Sequence, residues 1–158
     1  QLTKVNLVPL VMNYIQEVEG KNDHWNNLYT VLTELYVNSL DHGILELSSD
    51  LKSSPEGFVE YFKEREKKLT NLESGTIEIL LVRYSREQGG KINIKIKDSG
   101  IGFSIESWTN LQKNMEGLAL EEPFSGLSGR GIKLVQSLCD KLHYTDKGRC
   151  VEAEYIWI

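Results

Sequence analysis

Glu34 and Asn38 stand four residues apart in the stretch from Thr33 to Gly43, which reads Thr-Glu-Leu-Tyr-Val-Asn-Ser-Leu-Asp-His-Gly. In a helix, both side chains leave one face, one turn apart. A carboxylate that can take a proton and an amide oxygen that can hold a hard cation then point into one place. Two further stretches carry chemistry of their own. In Asp98-Ser99-Gly100-Ile101-Gly102-Phe103 a carboxylate is followed by two glycines that permit tight backbone geometry and close approach by a ligand. Ser125-Gly126-Leu127-Ser128-Gly129-Arg130-Gly131 opens directly onto a helical pattern beginning at Ile132. A glycine-rich turn before a helix N-terminus offers an anion free N–H groups and the positive end of the helix dipole. This is not a P-loop, because no Gly-Lys-Ser/Thr follows at the required gap, and its spacing does not fit the dinucleotide fingerprint. Each stretch alone also has a plain structural reading: an edge-of-core Glu and Asn, an Asp-Ser-Gly turn, a linker into a helix.

The elements that must position these residues follow from periodicity. Leu7, Leu10, Val11, Tyr14, Ile15 and Val18 have helical spacing, with Pro9 tolerable in the first turn and Gly20 closing the helix. Asn22 or Asp23 caps a second helix, whose apolar face runs through Leu28, Val31, Leu32 and Leu35 toward Leu40 and ends at His42-Gly43 with glycine in its usual place past a C-terminus. Ser54-Pro55-Glu56 starts a third helix with an apolar stripe of Phe58, Tyr61, Phe62, Leu69 and Leu72, and its run from Lys63 to Lys68 reads as a solvated face or a partner-docking one. Thr76 to Tyr84 and Lys91 to Asp98 read as strands joined by a Gln88-Gly89-Gly90 turn. Asp98 has the parity of Ile92, Ile94 and Ile96, so it follows the apolar side of the sheet and needs a hydrogen-bonding partner there. Trp108, Leu111 and Met115 give a short stripe within a loose region, where a mobile lid or a plain surface loop would sit. A helix from Ile132 to Leu142, with Leu134, Val135, Leu138 and Leu142 facing the core, then a turn at Asp146-Lys147-Gly148 and a strand from Cys150 to Ile158 complete the chain. The sheet is antiparallel here, not doubly wound and parallel.

At 158 residues the chain is one domain by prior, and its 40% hydrophobic and 26% charged content is ordinary for a globular protein. A net charge of −5 argues against a general binder of nucleic acid or anionic membrane. No apolar run is long enough to span a membrane and no signal peptide is evident, which points to the cytoplasm. Cys139 and Cys150 are too few for a metal framework or a disulfide scaffold and read as buried small hydrophobes in a reducing compartment. His24 and His143 are isolated and read as structural or exposed. A chain beginning with Gln1 is expected to be a piece of a larger protein.

The order of these motifs resembles the Bergerat-fold ATP-binding domain of the GHKL superfamily, which includes gyrase B subunits, chaperones of the ninety-kilodalton class, MutL proteins, histidine kinases and anti-sigma-factor serine kinases. That order is Glu-x3-Asn-x3-His-Gly on a helix, two strands, Asp-x-Gly-x-Gly, a lid, Gly-x2-Gly-x-Gly, helix, turn and strand. The resemblance runs from about residue 22 to the end, with 44–75 as extra helical material. Glu-Leu-Tyr-Val-Asn-Ser-Leu-Asp-His-Gly looks most like the bacterial anti-sigma-factor serine/threonine kinases.

The resemblance implies an α/β (α+β) two-layer sandwich, with helices on one face of a mixed, largely antiparallel sheet and an ATP lid at about 104–128. It implies ATP and Mg²⁺ as cofactors. Asn38 would supply the oxygen to Mg²⁺, and Glu34 would act as general base toward the attacking hydroxyl. Asp98 would accept from the adenine amino group, with Gly100 and Gly102 admitting base and ribose. Gly126, Gly129 and Gly131 would wrap the phosphates against the helix from Ile132, with Arg130 or Lys133 adding charge; His42 would complete the nucleotide site. The partners implied are a STAS-type anti-sigma-factor antagonist, as phosphorylated substrate, and a sigma factor. A homodimer and covalently attached receiver or phosphatase domains are compatible with it. Rival readings are a nucleotide-gated binding module without catalysis and a histidine-kinase catalytic domain. The chain departs from the family pattern at the 44–75 segment, at Gly148-Arg149-Cys150-Val151 where Gly-Thr-x-Val is frequent, and in showing no first strand before the first helix.

Overall fold

The computed structural model describes residues 7–47, 54–102 and 129–158. The expected lid and Gly126 lie outside the described residues, as does the side chain of Arg130. Helices α1 (Val8–Glu19), α2 (His24–Asn38), α3 (Pro55–Thr70) and α4 (Gly129–Leu138) accompany strands β1 (Ile77–Ser85), β2 (Gly90–Asp98), β3 (Lys141–Thr145) and β4 (Cys150–Trp157). The strands lie in the order β1-β2-β4-β3, and every pairing is antiparallel. The α/β sandwich is therefore as expected, while the sheet is purely antiparallel, not mixed, among the described residues.

Period-two alternation on β2 gives the sheet its two faces. Ile92, Ile94 and Ile96 are buried and stand opposite Tyr155, Ala153 and Val151 on β4. Leu142 and Tyr144 on β3 continue the same rows, opposite Ala153 and Val151. This face meets Leu28, Val31, Leu32 and Leu35 of α2 and Ile132 and Val135 of α4, all essentially inaccessible to water. The other face mixes exposed Leu80, Val82 and Tyr84 of β1 with lightly paired charges, as in Lys95–Glu152 at 3.6 Å and Lys91–Glu154 at 3.7 Å. Such exposed pairs contribute about 0–1 kcal/mol each. Trp157 closes one end of the core, edge-on to Trp25 at 5.2 Å and flat against Gly90, where a side chain would strike its ring.

Three local expectations change. On α1 the buried stripe is Val8, Met12 and Ile15, while Leu10, Tyr14 and Val18 face outward. Both stripes have helical spacing, and only packing decides between them. The helix expected over 132–142 starts at Gly129 and stops at Leu138, because Leu142 is needed in the β3 row; Leu134 consequently points outward. At the start of α2, Asn22 does the capping: its Oδ1 accepts from the His24 N–H at 2.9 Å, while Asp23 makes no side-chain cap.

The third helix begins as its sequence demands. Ser54 Oγ accepts from the Gly57 N–H at 3.0 Å, with Pro55 in the first turn. Such a cap contributes about 1 kcal/mol. Its Tyr61 is driven into the core at 1% exposure, so this helix packs on the domain. Phe58 and Phe62 stack on its outer side.

Candidate functional site

Helix α2 delivers Glu34 and Asn38 on one face and ends at Asn38. It hands over to a wider turn of π type, Ser39–Ile44. Extra-wide turns of this kind are rare and concentrate at functional sites. Gly43 lies inside this turn and does not take the left-handed conformation of a glycine that closes a helix. Its glycine identity has another cause: a Cβ there would sit 2.7 Å from the carboxyl carbon and both oxygens of Asp98. The expected C-terminal glycine is thus a contact glycine, and the turn touches the end of β2.

Asp98 is the last residue of β2 and only 3% exposed. Its N–H donates to the Arg149 carbonyl at 2.8 Å, which ties the end of β2 to the start of β4. Oδ1 accepts from the Gly100 N–H at 2.9 Å. Oδ2 is buried with no hydrogen-bond partner among the described residues. Burial pushes the Asp98 carboxyl above the usual carboxylate range, the Gly100 N–H and the Arg149 guanidinium pull it back, and Asp146 adds to the rise. A native fold rarely leaves a buried carboxylate oxygen unpartnered, and such an atom calls for a donor. Gly100 is a contact glycine too, against backbone: a Cβ there would collide with the Gly43 carbonyl. Gly102 takes φ +85°, and a Cβ on it would lie 2.9 Å from the Lys147 carbonyl oxygen. These glycines first of all let backbone meet backbone around Asp98.

Asn38 is 2% exposed, and its Nδ2 has no hydrogen-bond partner of normal geometry among the described residues. The hydroxyl of Tyr144 lies beside it. Burial holds that phenol far above its ordinary range, the Asn38 amide opposes the rise, and Asp98 and Glu34 reinforce it. Tyr144 therefore stands beside Asn38 and within electrostatic reach of Asp98 and Glu34, a position the sequence reading missed. Its signal was modest: Tyr144 shares the inward parity of Leu142 in a short strand.

Glu34 reaches the first turn of α4. Its carboxylate lies so close to Gly131 that any side chain there would collide with Oε2. The carboxylate thus sits at the positive end of the α4 dipole. Gly129 is the first described residue of that helix, and the Ile132 side chain belongs to the core, so only its backbone is left to a ligand. His42 is buried, with Nδ1 at 2.8 Å from the Leu47 carbonyl oxygen.

Asp41 is a second residue missed from sequence. It is 2% exposed inside the π turn, and both its oxygens are taken by α3. Tyr61 Oη donates to Oδ2 at 2.7 Å and Arg65 Nε donates to Oδ1 at 2.8 Å.

The structure thus brings Glu34, Asn38, His42, Asp98, Gly100 and Gly131 around one end of α2. The surroundings fit a purine nucleotide. The orphaned, buried Asp98 oxygen suits an amino donor, the buried Asn38 amide lies beside Tyr144, and the first described turn of α4, against Glu34, suits phosphate. No group of three or more His, Cys, Asp or Glu side chains gathers among the described residues, so a divalent ion here would take most of its ligands from elsewhere, as phosphate-bound Mg²⁺ does. Cys139 and Cys150 are free thiols, with burial pushing Cys139 up to about 12. Among the described residues, no helix is long and apolar enough to cross a membrane.

No curated protein and no solved structure matches the chain. The family model of the histidine kinase-like ATPase domain matches residues 3–155, nearly the whole sequence, and the chain belongs to that family of ATP-binding domains.

Proposed function

We infer that this domain binds Mg-ATP and acts as a protein serine/threonine kinase of anti-sigma-factor type, with a STAS-type antagonist as substrate and a sigma factor as alternative partner. The observation that carries the nucleotide reading is the unpartnered, buried Oδ2 of Asp98 at the far end of a site whose other end is the N-terminus of α4. Family membership supports ATP use. The kinase subtype rests on the residue pattern from Glu34 to Gly43.

Bound Mg-ATP supplies the γ-phosphoryl group for transfer. The protein's part is positioning and proton handling. Asp98 Oδ2 accepts from the adenine amino group, which selects adenine over guanine. Asn38 would hold Mg²⁺ through its side-chain oxygen. The first N–H groups of α4, from Gly129 onward, hold phosphate oxygens. Glu34, placed between Asn38 and that helix end, accepts the proton of the incoming hydroxyl.

A second reading, a nucleotide-gated binding module, draws on one observation. The Glu34 carboxylate is packed against Gly131, a contact that would also serve as a purely structural cap on α4. Incubation with γ-labelled ATP and a STAS-type antagonist separates the readings. Label on serine or threonine supports the kinase, label on histidine moves it to the histidine-kinase class, and tight ATP binding without label leaves the binding module.

A further inference from the structure

Helix α3 sends two polar side chains inward, and both end on the same carboxylate. Tyr61 is fully buried, Arg65 is three-quarters covered, and Asp41 between them is 2% exposed. A buried carboxylate costs several kcal/mol unless it is paired and hydrogen-bonded. Here both oxygens are satisfied, one by a hydroxyl and one by a guanidinium. Asp41 adds a third tie through its backbone: its carbonyl accepts from the Leu47 N–H at 2.8 Å. The Leu47 carbonyl in turn meets His42 Nδ1.

Asp41 is no isolated anchor. It sits in the π turn, three residues after Asn38 and two before Gly43. Gly43 is in van der Waals contact with the Asp98 carboxylate and with Gly100. The turn is thus held between two supports, β2 on one side and α3 on the other. A π turn is wider and less stable than the α-helix it continues, so it persists only where its surroundings enforce it.

We propose that Tyr61 and Arg65 are positioning residues of the nucleotide site, acting through Asp41 to hold the Ser39–Ile44 turn in the shape that places Asn38 and presses Gly43 onto Asp98. Helix α3 is on this account a working wall of the site. The proposal rests on the ATP-site reading for its functional half and on geometry alone for its structural half.

The test uses the whole chain with Tyr61→Phe, Arg65→Ala and Arg65→Lys. Tyr61→Phe keeps the buried ring and removes only the hydroxyl; Arg65→Lys keeps the charge but loses the Nε donor. Amide hydrogen exchange read over residues 38–45 is the first measurement and needs no nucleotide. Tyr61→Phe and Arg65→Ala are expected to speed exchange there about tenfold while α1, α4 and the sheet keep wild-type rates, as loss of a hydrogen bond to a charged group predicts. The second measurement is the Kd for Mg-ATP at a temperature where every variant is fully folded. It is expected to rise about three- to tenfold, with Arg65→Lys recovering part of the loss. In a background of Asp41→Asn, Tyr61→Phe should add little further, since the two act through one contact. Unchanged exchange over 38–45 overturns the clamp. Faster exchange with an unchanged Kd overturns its service to the site, and uniformly faster exchange reduces it to a general packing role, which overturns the proposal equally. A wild-type chain that does not bind Mg-ATP refutes the ATP reading instead, and the exchange data then decide the clamp by themselves.

Discussion

Asp98→Asn should weaken ATP binding and stabilise the nucleotide-free protein at the same time. The two amino acids are nearly isosteric, and the amide oxygen can keep the Gly100 N–H bond now made by Oδ1. The amide nitrogen then falls where Oδ2 stands, so a donor faces the donating amino group of adenine. Losing a hydrogen bond to a charged group costs about 1.5–3 kcal/mol, which is roughly 10- to 150-fold in Kd. Without nucleotide the sign reverses, because Oδ2 is an unpartnered buried charge. The amide relieves that charge but leaves its own nitrogen unpaired, so the net gain is about 1 kcal/mol, or about 2–4 °C in Tm. The pH dependence has a definite sign. The folded-state pKa of Asp98 is raised above its ordinary 3.8, so the folded chain holds the proton more tightly than the unfolded one. Stability therefore falls as pH rises from about 3.8 through the raised value, and the full cost is present above it. ATP binding follows the opposite course, weakening as pH falls into that window and the acceptor is protonated. Calorimetric melting and ATP titration between pH 4 and 8, on wild type and Asp98→Asn, check all of this. An Asp98→Asn protein that binds ATP as tightly as wild type, or that melts several degrees lower without it, would refute the reasoning.

Glu34→Gln should keep ATP affinity within about threefold and lower phosphoryl transfer about 10²–10⁴-fold, the usual worth of a general base; transfer at the wild-type rate would remove Glu34 from catalysis. Gly43→Ala should destabilise the fold by about 1–3 kcal/mol, because the added methyl meets the buried Asp98 carboxylate at 2.7 Å; chemical denaturation gives the value. Gly131→Ala should push the Glu34 carboxylate off α4 and cut transfer more than it cuts melting temperature, as paired activity and thermal scans would show. Chelation of Mg²⁺ should weaken ATP binding in wild type and have little effect in Asn38→Ala, which isothermal titration with and without chelator can read.

Much of the site was legible because its parts obey strong local rules. The parity of Asp98 with Ile92, Ile94 and Ile96 put its carboxylate on the buried face, and the four-residue spacing of Glu34 and Asn38 put them on one face of α2. What stayed hidden depended on contacts between distant segments. On α1 the expected stripe held Ile15 and Val11, which do face the core, but Leu10, Tyr14 and Val18 could not be told from Val8 and Met12, since both sets have helical spacing. Asp41 read as one more polar residue near a helix end, and only the arrival of Tyr61 and Arg65 from another helix gives it a role. Gly43 offered a familiar explanation, helix termination, that displaced the correct one, contact with Asp98.

The meeting of Gly43 and Gly100 sets a limit on how this domain can diversify. Where the π turn crosses the end of β2, the wall behind Asp98 is one backbone thick, with the Gly43 carbonyl against the Gly100 Cα. A side chain on Gly100 would strike the Gly43 carbonyl, which cannot be truncated, and one on Gly43 would strike the Asp98 carboxylate itself. Among the described residues around Asp98, nucleotide preference is therefore open to change through the groups that have side chains to vary, Asp98 first and then Tyr144 and Arg149. The glycines are the gauge of the site, and Asp98 beside them is the first part that can be adjusted.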